Sequence, residues 1–479
     1  MPENNKQKAA FGLLLMTIAL AAFMSSLDAT IVNIALPTIS TDFGISSGTV
    51  AWVSLAYLII LSSFMLAFGK IADNKGYKKI FIAGFAVFTL GSLLCGIMPF
   101  LFENFWYLVF FRVIQAIGAS MLSGLGAGMV AVYLPADLRG RGLAVSTVMA
   151  SIGLAAGPFL GGIFTQYAGW HWIFLVNIPV GILGIIMGLR HLPPDKKAPG
   201  KFIFDYAGSI LVFLCIASGI FALNMGAEKG WASPFILGSF VFCAISFLLF
   251  IINEKRHVNP LLDLSIFKNR NFSFANASAA IIMLLFTGAT FLFPFYLEYV
   301  KEFPPAVSGI ILVVPSIAMI IAGPVAGIIS DRSGSRNICT VSSVICGISF
   351  LMFSMLDSSS SLPFLVAGLG MMGFSAGLFI PANSNLIFSY TKREDSGIIS
   401  SLMMTVRDTG ASVGVAVFET IFAAIIYAEI AAYHITSTAP VEIKRGLLVS
   451  GFQLTFLSAA VICIVAIAFS YFAKDREKI

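Results

Sequence analysis

The sequence predicts an all-α membrane protein with fourteen transmembrane helices, arranged as two six-helix bundles with two helices inserted between them. Hydrophobic residues make up 58% of the 479 residues, charged residues make up 11%, and the mean hydropathy is +0.95. Such values lie outside the range of soluble domains. Each apolar run approaches the roughly 20 residues that a helix needs to cross a hydrocarbon core about 30 Å thick. No run alternates apolar and polar residues as a transmembrane barrel strand does.

A polar loop that occurs twice predicts two related halves. The first copy is GKIADNKGYKKI at Gly69–Ile80, and the second is GIISDRSGSRNI at Gly327–Ile338. Both copies keep the pattern Gly-x-x-x-Asp-x-x-Gly and lie between apolar runs. Such a repeat indicates a duplicated membrane protein with two similar halves, although short Gly/Asp loops also recur by chance. The loop positions that we expect to act in conformational change are Gly69, Asp73, Gly76 and Asp331.

The repeat also divides the chain. We expect residues 1–192 to form the first six-helix bundle and residues 271–479 to form the second. Residues 193–270 are expected to hold a proline-rich basic linker and the two inserted helices, which have no counterpart in the repeat.

The first apolar run, Phe11 to about Ile34, contains an acid in the segment LDATIVNIALP. An acid inside a membrane costs a few kcal/mol or more, so it usually faces a cavity or a partner. We therefore interpret Asp28 as a functional residue, and a hydrated structural position near the outer mouth is the alternative. Asn33 follows on the same segment and is a candidate for the wall of a substrate cavity.

The fourth run begins near Phe105 and contains FRVIQAIGAS. Arg112, Gln115 and Gly118 are spaced by three and therefore share one helical face. Arg112 is a candidate ion-pair partner for Asp28, or it extends along the helix to the outer interface. Gln115 is a second candidate for the cavity wall.

The fifth run, Gly142 to Gln166, has one face almost without side chains. Glycines recur there every four residues, beside a proline that favours a kink. Such a face permits close helix packing, which is common in membranes and is also a way to couple two conformations. The residues concerned are Gly153, Gly157, Pro158, Gly161 and Gly162.

The second half contributes further polar residues within apolar runs. Candidates for the cavity wall are Tyr296, Asn383 and Asn385. The thirteenth run, Gly397–Tyr427, contains Arg407, Asp408 and Glu419, for which proton coupling and purely structural roles are both open. Arg407 and Asp408 are neighbours in sequence, so we expect them to have different partners. A longer outer loop is expected at Ala428–Ser450.

The distribution of basic residues predicts the orientation. Of the 29 Lys and Arg residues, those expected in outer loops are Lys229, Lys301, Lys444 and Arg445, and those within spans are Arg112 and Arg407. All others fall on the side of the two termini, which the positive-inside rule identifies as the cytoplasm. The net charge of +6 is thus explained by topology and anionic lipid rather than by nucleic acid.

Other function classes lack their signatures in the sequence. The six cysteines and four histidines are scattered, with no metal-ligand spacing, so no metal site is expected. There is no Gly-x-x-x-x-Gly-Lys-Ser/Thr loop for ATP, no cluster of catalytic side chains, and no large extramembrane domain of a receptor.

The motifs resemble those of the major facilitator superfamily, in particular its fourteen-helix drug/proton antiporter branch. The loop at Gly69–Ile80 is similar to the family's cytoplasmic loop motif, and GLAAGPFLGG to its antiporter motif. FRVIQAIGAS is similar to the fourth-helix motif, and LDATIVNIALP to the first-helix motif of that branch. The sequence departs from the family pattern at Asn74, Tyr77, Ala116 and His171.

This resemblance implies a proton-driven exporter in which two bundles rock about a midplane cavity. Asp28 with Arg112 is expected to carry or control the proton, and Asp408 and Glu419 are further candidates. The expected cargo is an amphipathic, often cationic drug-like compound, with an endogenous metabolite or lipid-like compound as the alternative. No cofactor is expected beyond the proton gradient. We expect a monomer in the plasma or inner membrane, with both termini in the cytoplasm and no nucleic-acid partner.

Overall fold

The computed structural model describes residues 2–135, 138–195, 204–391, 396–434 and 440–475. Within these ranges 14 helical segments are long and apolar enough to cross a membrane, and none of the described residues lies in a strand. The prediction of an all-α protein with fourteen spans is therefore confirmed.

The first half contains ten helices that make six crossings. They are α1 (Pro2–Ile31), α2 (Leu36–Phe43), α3 (Ser47–Val50), α4 (Trp52–Lys75), α5 (Tyr77–Phe102), α6 (Phe105–Ser123), α7 (Gly126–Tyr133), α8 (Arg139–Tyr167), α9 (Trp172–Leu175) and α10 (Asn177–His191). The pairs α1–α2, α3–α4, α6–α7 and α9–α10 each form one interrupted crossing.

The inserted pair and the second half follow. The inserted helices are α11 (Tyr206–Lys229) and α12 (Pro234–Arg256). The second half comprises α13 (Arg270–Phe295), α14 (Pro305–Ile311), α15 (Val314–Ser333), α16 (Ser335–Phe353), α17 (Leu362–Ser389), α18 (Ser396–Tyr433) and α19 (Val441–Phe472). A π-helical turn at Tyr296–Val300 extends α13.

An even number of crossings places both ends of the chain at one end of the bundle, which we call the terminus end. The opposite end is called the far end. The halves meet along two seams, where α4 packs on α18 and where α8 packs on α14. The inserted α11 lies against both α4 and α18 at the first seam.

Two predicted boundaries were wrong. The first span does not end at Ile34, because α2 continues it to Phe43 after a 3₁₀ turn at Asn33–Ala35. Pro37 lies in the first turn of α2, where its missing N–H is tolerated. The expected outer loop at Ala428–Ser450 is instead mostly helical, since α18 runs to Tyr433 and α19 begins at Val441.

The repeated loop has the same construction in both halves. Gly76 (φ +106°) and Gly334 (φ +83°) adopt a backbone conformation that L side chains rarely reach. A helix begins directly after each of them. In the first half, Lys78 N and Lys79 N donate to the carboxylate of Asp195 at 2.9 and 3.1 Å.

Asp475 has the equivalent position in the second half, where it accepts from Ser335 N at 3.1 Å and Arg336 N at 3.2 Å. The basic residues of the two loops also match. Lys78 Nζ donates to Leu192 O at 2.8 Å, and Arg336 Nε donates to Tyr471 O at 2.8 Å. The two halves thus share contacts as well as a motif.

Candidate functional site

Asp28 of α1 and Arg112 of α6 form a buried ion pair. Arg112 Nη1 lies 2.9 Å from Asp28 Oδ2, and the exposed fractions of the two side chains are 2% and 0%. The structure therefore brings together the two residues that the sequence paired. Arg112 does not extend to the outer interface. Its position inside the bundle keeps the pair away from water. Charge-assisted hydrogen bonds are stronger in such a buried, low-dielectric environment than in water.

Amide side chains complete the coordination of Asp28. Gln115 Nε2 and Asn177 Nδ2 donate to Asp28 Oδ1 at 2.8 and 3.1 Å. Gln115 Oε1 in turn accepts from Arg112 Nη1 at 2.6 Å, and Gln115 Nε2 also reaches Ser92 Oγ at 2.7 Å. The network joins α1, α5, α6 and α10, so Gln115 orients the ion pair rather than lining a cavity.

Arg112 is held by groups that the sequence did not indicate. Its Nε donates to Val53 O at 3.2 Å, and its guanidinium carbon lies 4.2 Å from the centre of the Tyr57 ring and 5.5 Å from that of Phe174. Cation–π contacts of this kind gain strength when the cation is desolvated. Asn177 was also missed, although an amide inside the sixth apolar run was a signal that could have identified it.

A central cavity of about 250 Å³ lies between the two halves. Residues of α1, α4, α6 and α8 form one wall, and residues of α13, α15, α17 and α18 form the other. Its polar lining includes Asn33 and Arg112. Its apolar lining includes Met283, Phe286 and Met319. The cavity thus combines charged groups with adaptable apolar side chains, as ligand pockets commonly do.

Asp408 and Arg407 of α18 also line this cavity, and they have different surroundings. Arg407 Nη2 donates to Ser384 Oγ at 2.9 Å and to Ile380 O at 3.2 Å, both on α17. The Asp408 carboxylate makes no hydrogen bond or ion pair with any residue in the described part of the chain. Asp408 therefore presents a carboxylate without a direct hydrogen-bonding partner to the cavity, although the positive charge of the neighbouring Arg407 acts on it.

The central cavity continues toward the terminus end. A second cavity of about 450 Å³, formed there by α1, α6, α8, α17 and α18, shares Arg407 and Asp408 with the first. At the far end, hydrogen bonds join the two halves. Tyr299 Oη donates to Pro37 O at 3.0 Å, and Ala306 N donates to Gln166 Oε1 at 3.0 Å. In this conformation a cavity thus extends toward the terminus end, and hydrogen bonds hold the two halves together at the far end.

Glu419 lies farther along α18, at the far end. It is 1% exposed, and its Oε1 accepts from Ser47 Oγ of α3 at 2.9 Å. Its surroundings do not include the central cavity, so the three predicted acids occupy three separate places.

Three other predicted cavity residues do not line the central cavity. Tyr296 is fully buried and donates to Asp357 O at 2.8 Å. Asn383 is fully buried and donates to Ala275 O at 2.9 Å, whereas Asn385 is on the exposed surface of α17. Asn383 thus joins α17 to α13, and Tyr296 joins the end of the first span of the second half to the loop between α16 and α17. Asp357 lies in the loop between α16 and α17. Hydrogen bonds from Ser359 and Ser360 hold the pKa of its carboxyl below its usual range.

The glycine face of α8 packs on α1 and reaches the second half. A Cβ at Gly153 would overlap Phe23 O, and one at Gly157 would overlap the Thr30 hydroxyl. At Gly161 it would lie 2.6 Å from Ile31 O. Gly162 faces a different neighbour, Pro305 of α14, and Gly309 in turn faces Pro158. The face therefore serves both packing within the first half and the seam between the halves.

Comparison with known proteins identifies the family. The sequence profile of the Major Facilitator Superfamily matches residues 18–415, which is most of the chain. The chain belongs to the Major Facilitator Superfamily. It is therefore a multi-pass membrane transporter of small molecules, and the resemblance found in its motifs is confirmed.

Similar proteins include transporters with different named cargoes. The chain is 34% identical over 411 residues to the riboflavin transporter RibZ of Clostridioides difficile (strain 630), covering 86% of this chain and 88% of that one. It is 28% identical over 439 residues to the multidrug resistance protein Stp of Mycobacterium tuberculosis (strain ATCC 25618 / H37Rv), covering 91% and 80%.

The fold is shared with a solved structure, a bacterial homologue of the human lysosomal transporter Spinster in an inward-facing, unoccupied conformation. The two superpose with a TM-score of 0.68 at 16% identity, over 97% of each chain. At that identity the likeness concerns the fold alone.

Proposed function

We propose that this superfamily member is a proton-coupled exporter of amphipathic, cationic drug-like compounds. The observation that carries the proposal is the unpaired Asp408 carboxylate in a cavity that also contains Met283, Phe286 and Met319. A carboxylate attracts a cationic group, and the thioether and aromatic side chains accommodate apolar parts of varied shape. Relatives named as multidrug resistance proteins support the same cargo class.

Asp408 provides a simple basis for antiport. A carboxylate that binds a proton loses its attraction for a cationic cargo, and a bound cation opposes protonation. Competition at one group therefore makes cargo and proton alternate. Because Asp408 lines both the central cavity and the cavity at the terminus end, it is accessible from that side in this conformation.

The geometry favours a different order of candidates from that expected from the sequence. Asp28 is fully buried and accepts hydrogen bonds from Arg112, Gln115 and Asn177, so its charged form is well satisfied here. We infer that Asp28 and Arg112 set the conformation of the first half. Asp28 is enclosed by these donors, whereas the Asp408 carboxylate faces the cavities directly.

A second candidate function is export of a neutral heteroaromatic metabolite. The similarity to a protein named a riboflavin transporter favours it. The aromatic ring of Phe286 and the polar groups of Asn33 and Thr287 in the central cavity fit such a compound as well. Only the first candidate uses the charge of Asp408 to bind its cargo.

The proposed setting follows from the charge distribution. With the basic loops in the cytoplasm, both termini are cytoplasmic and the far end faces outward. The terminus-end cavity then receives cargo from the cytoplasm or the inner leaflet. The protein acts as a monomer in the plasma or inner membrane, with protons and the small molecule as its only required partners.

Proteoliposomes loaded with a fluorescent pH indicator test the function. Addition of ethidium, a cationic aromatic drug, is expected to cause proton release that requires the protein and a pH gradient. Riboflavin at the same concentration is expected to have no such effect. Riboflavin-driven proton release without an ethidium response would favour the metabolite exporter instead.

A further inference from the structure

A second pocket, separate from the central cavity, lies at the far end between α11, α18 and the start of α3. Its volume is about 210 Å³, and it shares no described lining residue with the central cavity. We call it the far-end pocket. Its lining consists of Ser46, Ser47, Gly48, Asn224, Ala227, Glu228, Glu419, Phe422, Ala423, Ile426 and Tyr427.

Two buried polar side chains in this pocket have unused hydrogen-bonding atoms. Glu419 is 1% exposed, and its Oε2 has no partner among the residues that the structure describes. Asn224 is 4% exposed, and the same holds for both its Oδ1 and its Nδ2. Buried polar atoms without partners are rare and costly, so each calls for a ligand or water.

Asn224 follows directly after a residue through which α11 is bonded to α18. Thr420 Oγ1 of α18 donates to Leu223 O of α11 at 2.6 Å, which ties the two helices at this level. Asn224 belongs to the inserted pair, Glu419 to the second half, and its partner Ser47 to the first half. Residues from the first half, the inserted pair and the second half therefore all line the pocket.

The chemistry of the lining selects a cation. Glu419 and the exposed Glu228 supply two carboxylates, and none of the described lining residues is Lys or Arg. The described part of the chain holds no group of three His, Cys, Asp or Glu that could bind a metal ion. The volume exceeds by far the roughly 30 Å³ that one water occupies in the liquid. Phe422 and Tyr427 add aromatic surface for a cation with an organic part.

We propose that the far-end pocket binds a small organic ammonium ion. Its N–H groups donate to Glu419 Oε2 and Asn224 Oδ1, and its alkyl part packs against Phe422 and Ile426. The site is distinct from the central cavity and does not depend on proton coupling. It assigns a ligand-binding role to the inserted helix α11.

Thermal unfolding of the purified full-length protein in detergent tests the site, with propylammonium chloride as the probe. A ligand that binds the folded state raises the melting temperature in a saturable way. We expect this rise with propylammonium and not with NaCl at equal ionic strength. Loss of a charge-assisted hydrogen bond in Glu419→Gln should weaken the apparent affinity by roughly 10- to 100-fold. Asn224→Ala should weaken it as well, and Glu103→Gln, at an exposed position outside both cavities, should leave it unchanged.

A second measurement does not depend on the folding of a pocket variant. In a background without the native cysteines, Ala423→Cys places a thiol in an otherwise intact pocket, and propylammonium should slow its alkylation. Three results would each overturn the proposal. They are the absence of both effects, an equal effect of NaCl, and an undiminished temperature rise in Glu419→Gln.

Discussion

The Asp195 carboxylate caps the helix that follows Gly76, and the Asp475 carboxylate caps the helix that follows Gly334 in the same way. Each aspartate lies just beyond the last helix of its own half. Each therefore connects the repeated loop to the end of its bundle. Negative charge at a helix N-terminus is favourable, because the free N–H groups of the first turn carry partial positive charge.

Removal of either cap is expected to destabilise its own half. Asp195→Ala and Asp475→Ala should each cost about 0.5–2 kcal/mol, the usual range for a lost cap. Asp→Asn at the same positions should cost less, because one acceptor remains. Melting temperatures in detergent measure the effect. Glu103→Gln, at the exposed C-terminal end of α5, is the control and should not lower the melting temperature. A wild-type melting temperature for both alanine variants would contradict the equivalence of the two loops.

These caps also illustrate which contacts the sequence could predict. The loop repeat and the pairing of Asp28 with Arg112 were accessible, because two charges inside apolar runs had few other partners. Asp195 lies more than a hundred residues from the first turn that it caps, so no local sequence pattern indicated this contact. Tyr296 and Asn383 were assigned to the cavity because they are polar. Only the packing of the second half shows that their partners are backbone carbonyls of the protein.

The relative importance of the acids was not accessible from the sequence either. Asp28, Asp408 and Glu419 look alike as single acids in apolar runs. What distinguishes them is tertiary: Asp28 is enclosed by three donors, Asp408 faces a cavity, and Glu419 joins the halves at the far end.

The proposed orientation predicts which surface positions an external reagent can reach. Single cysteines at the exposed positions Lys75 and Lys474, in a background without the native cysteines, lie at the terminus end. They should resist an impermeant thiol reagent in intact cells and react after permeabilisation. A cysteine at the exposed Glu442, at the far end, should react in intact cells. Labelling of Lys75→Cys from outside would show that the terminus end faces outward, which contradicts the proposed orientation.

The close approach of α8 and α1 predicts a strong effect of side-chain volume at Gly157. A leucine there must displace Thr30, and overpacking typically costs about 1–3 kcal/mol. We expect Gly157→Leu to reach the membrane but to lose transport, because the altered packing of α8 on α1 no longer supports both conformations. Ethidium efflux from cells at matched protein level is the measurement. Gly323→Leu is the control, since a Cβ at Gly323 meets no atom within 4 Å. Normal efflux by Gly157→Leu would show that the glycine face has no role in the conformational change.

The last prediction separates the roles of Asp408 and Asp28. If Asp408 exchanges a proton for cationic cargo, Asp408→Asn abolishes ethidium-driven proton release, while Asp408→Glu retains part of it because the carboxylate survives. Asp408→Asn should still move a neutral cargo down its gradient, since the cavity keeps its shape.

Asp28→Asn should behave differently, because it leaves Arg112 buried without its counter-ion. Removing one partner of a buried ion pair typically costs about 3–5 kcal/mol, so a lower melting temperature is expected along with the loss of transport. Asp28→Asn with Arg112→Gln removes both charges and should recover much of the stability. Proton release is measured in proteoliposomes at matched protein level, and the melting temperature in detergent. Uphill transport at the wild-type rate by Asp408→Asn would remove Asp408 from the mechanism. If the double variant then recovered stability without transport, the exchange would belong to the Asp28–Arg112 pair, because those are the two charges that the variant lacks.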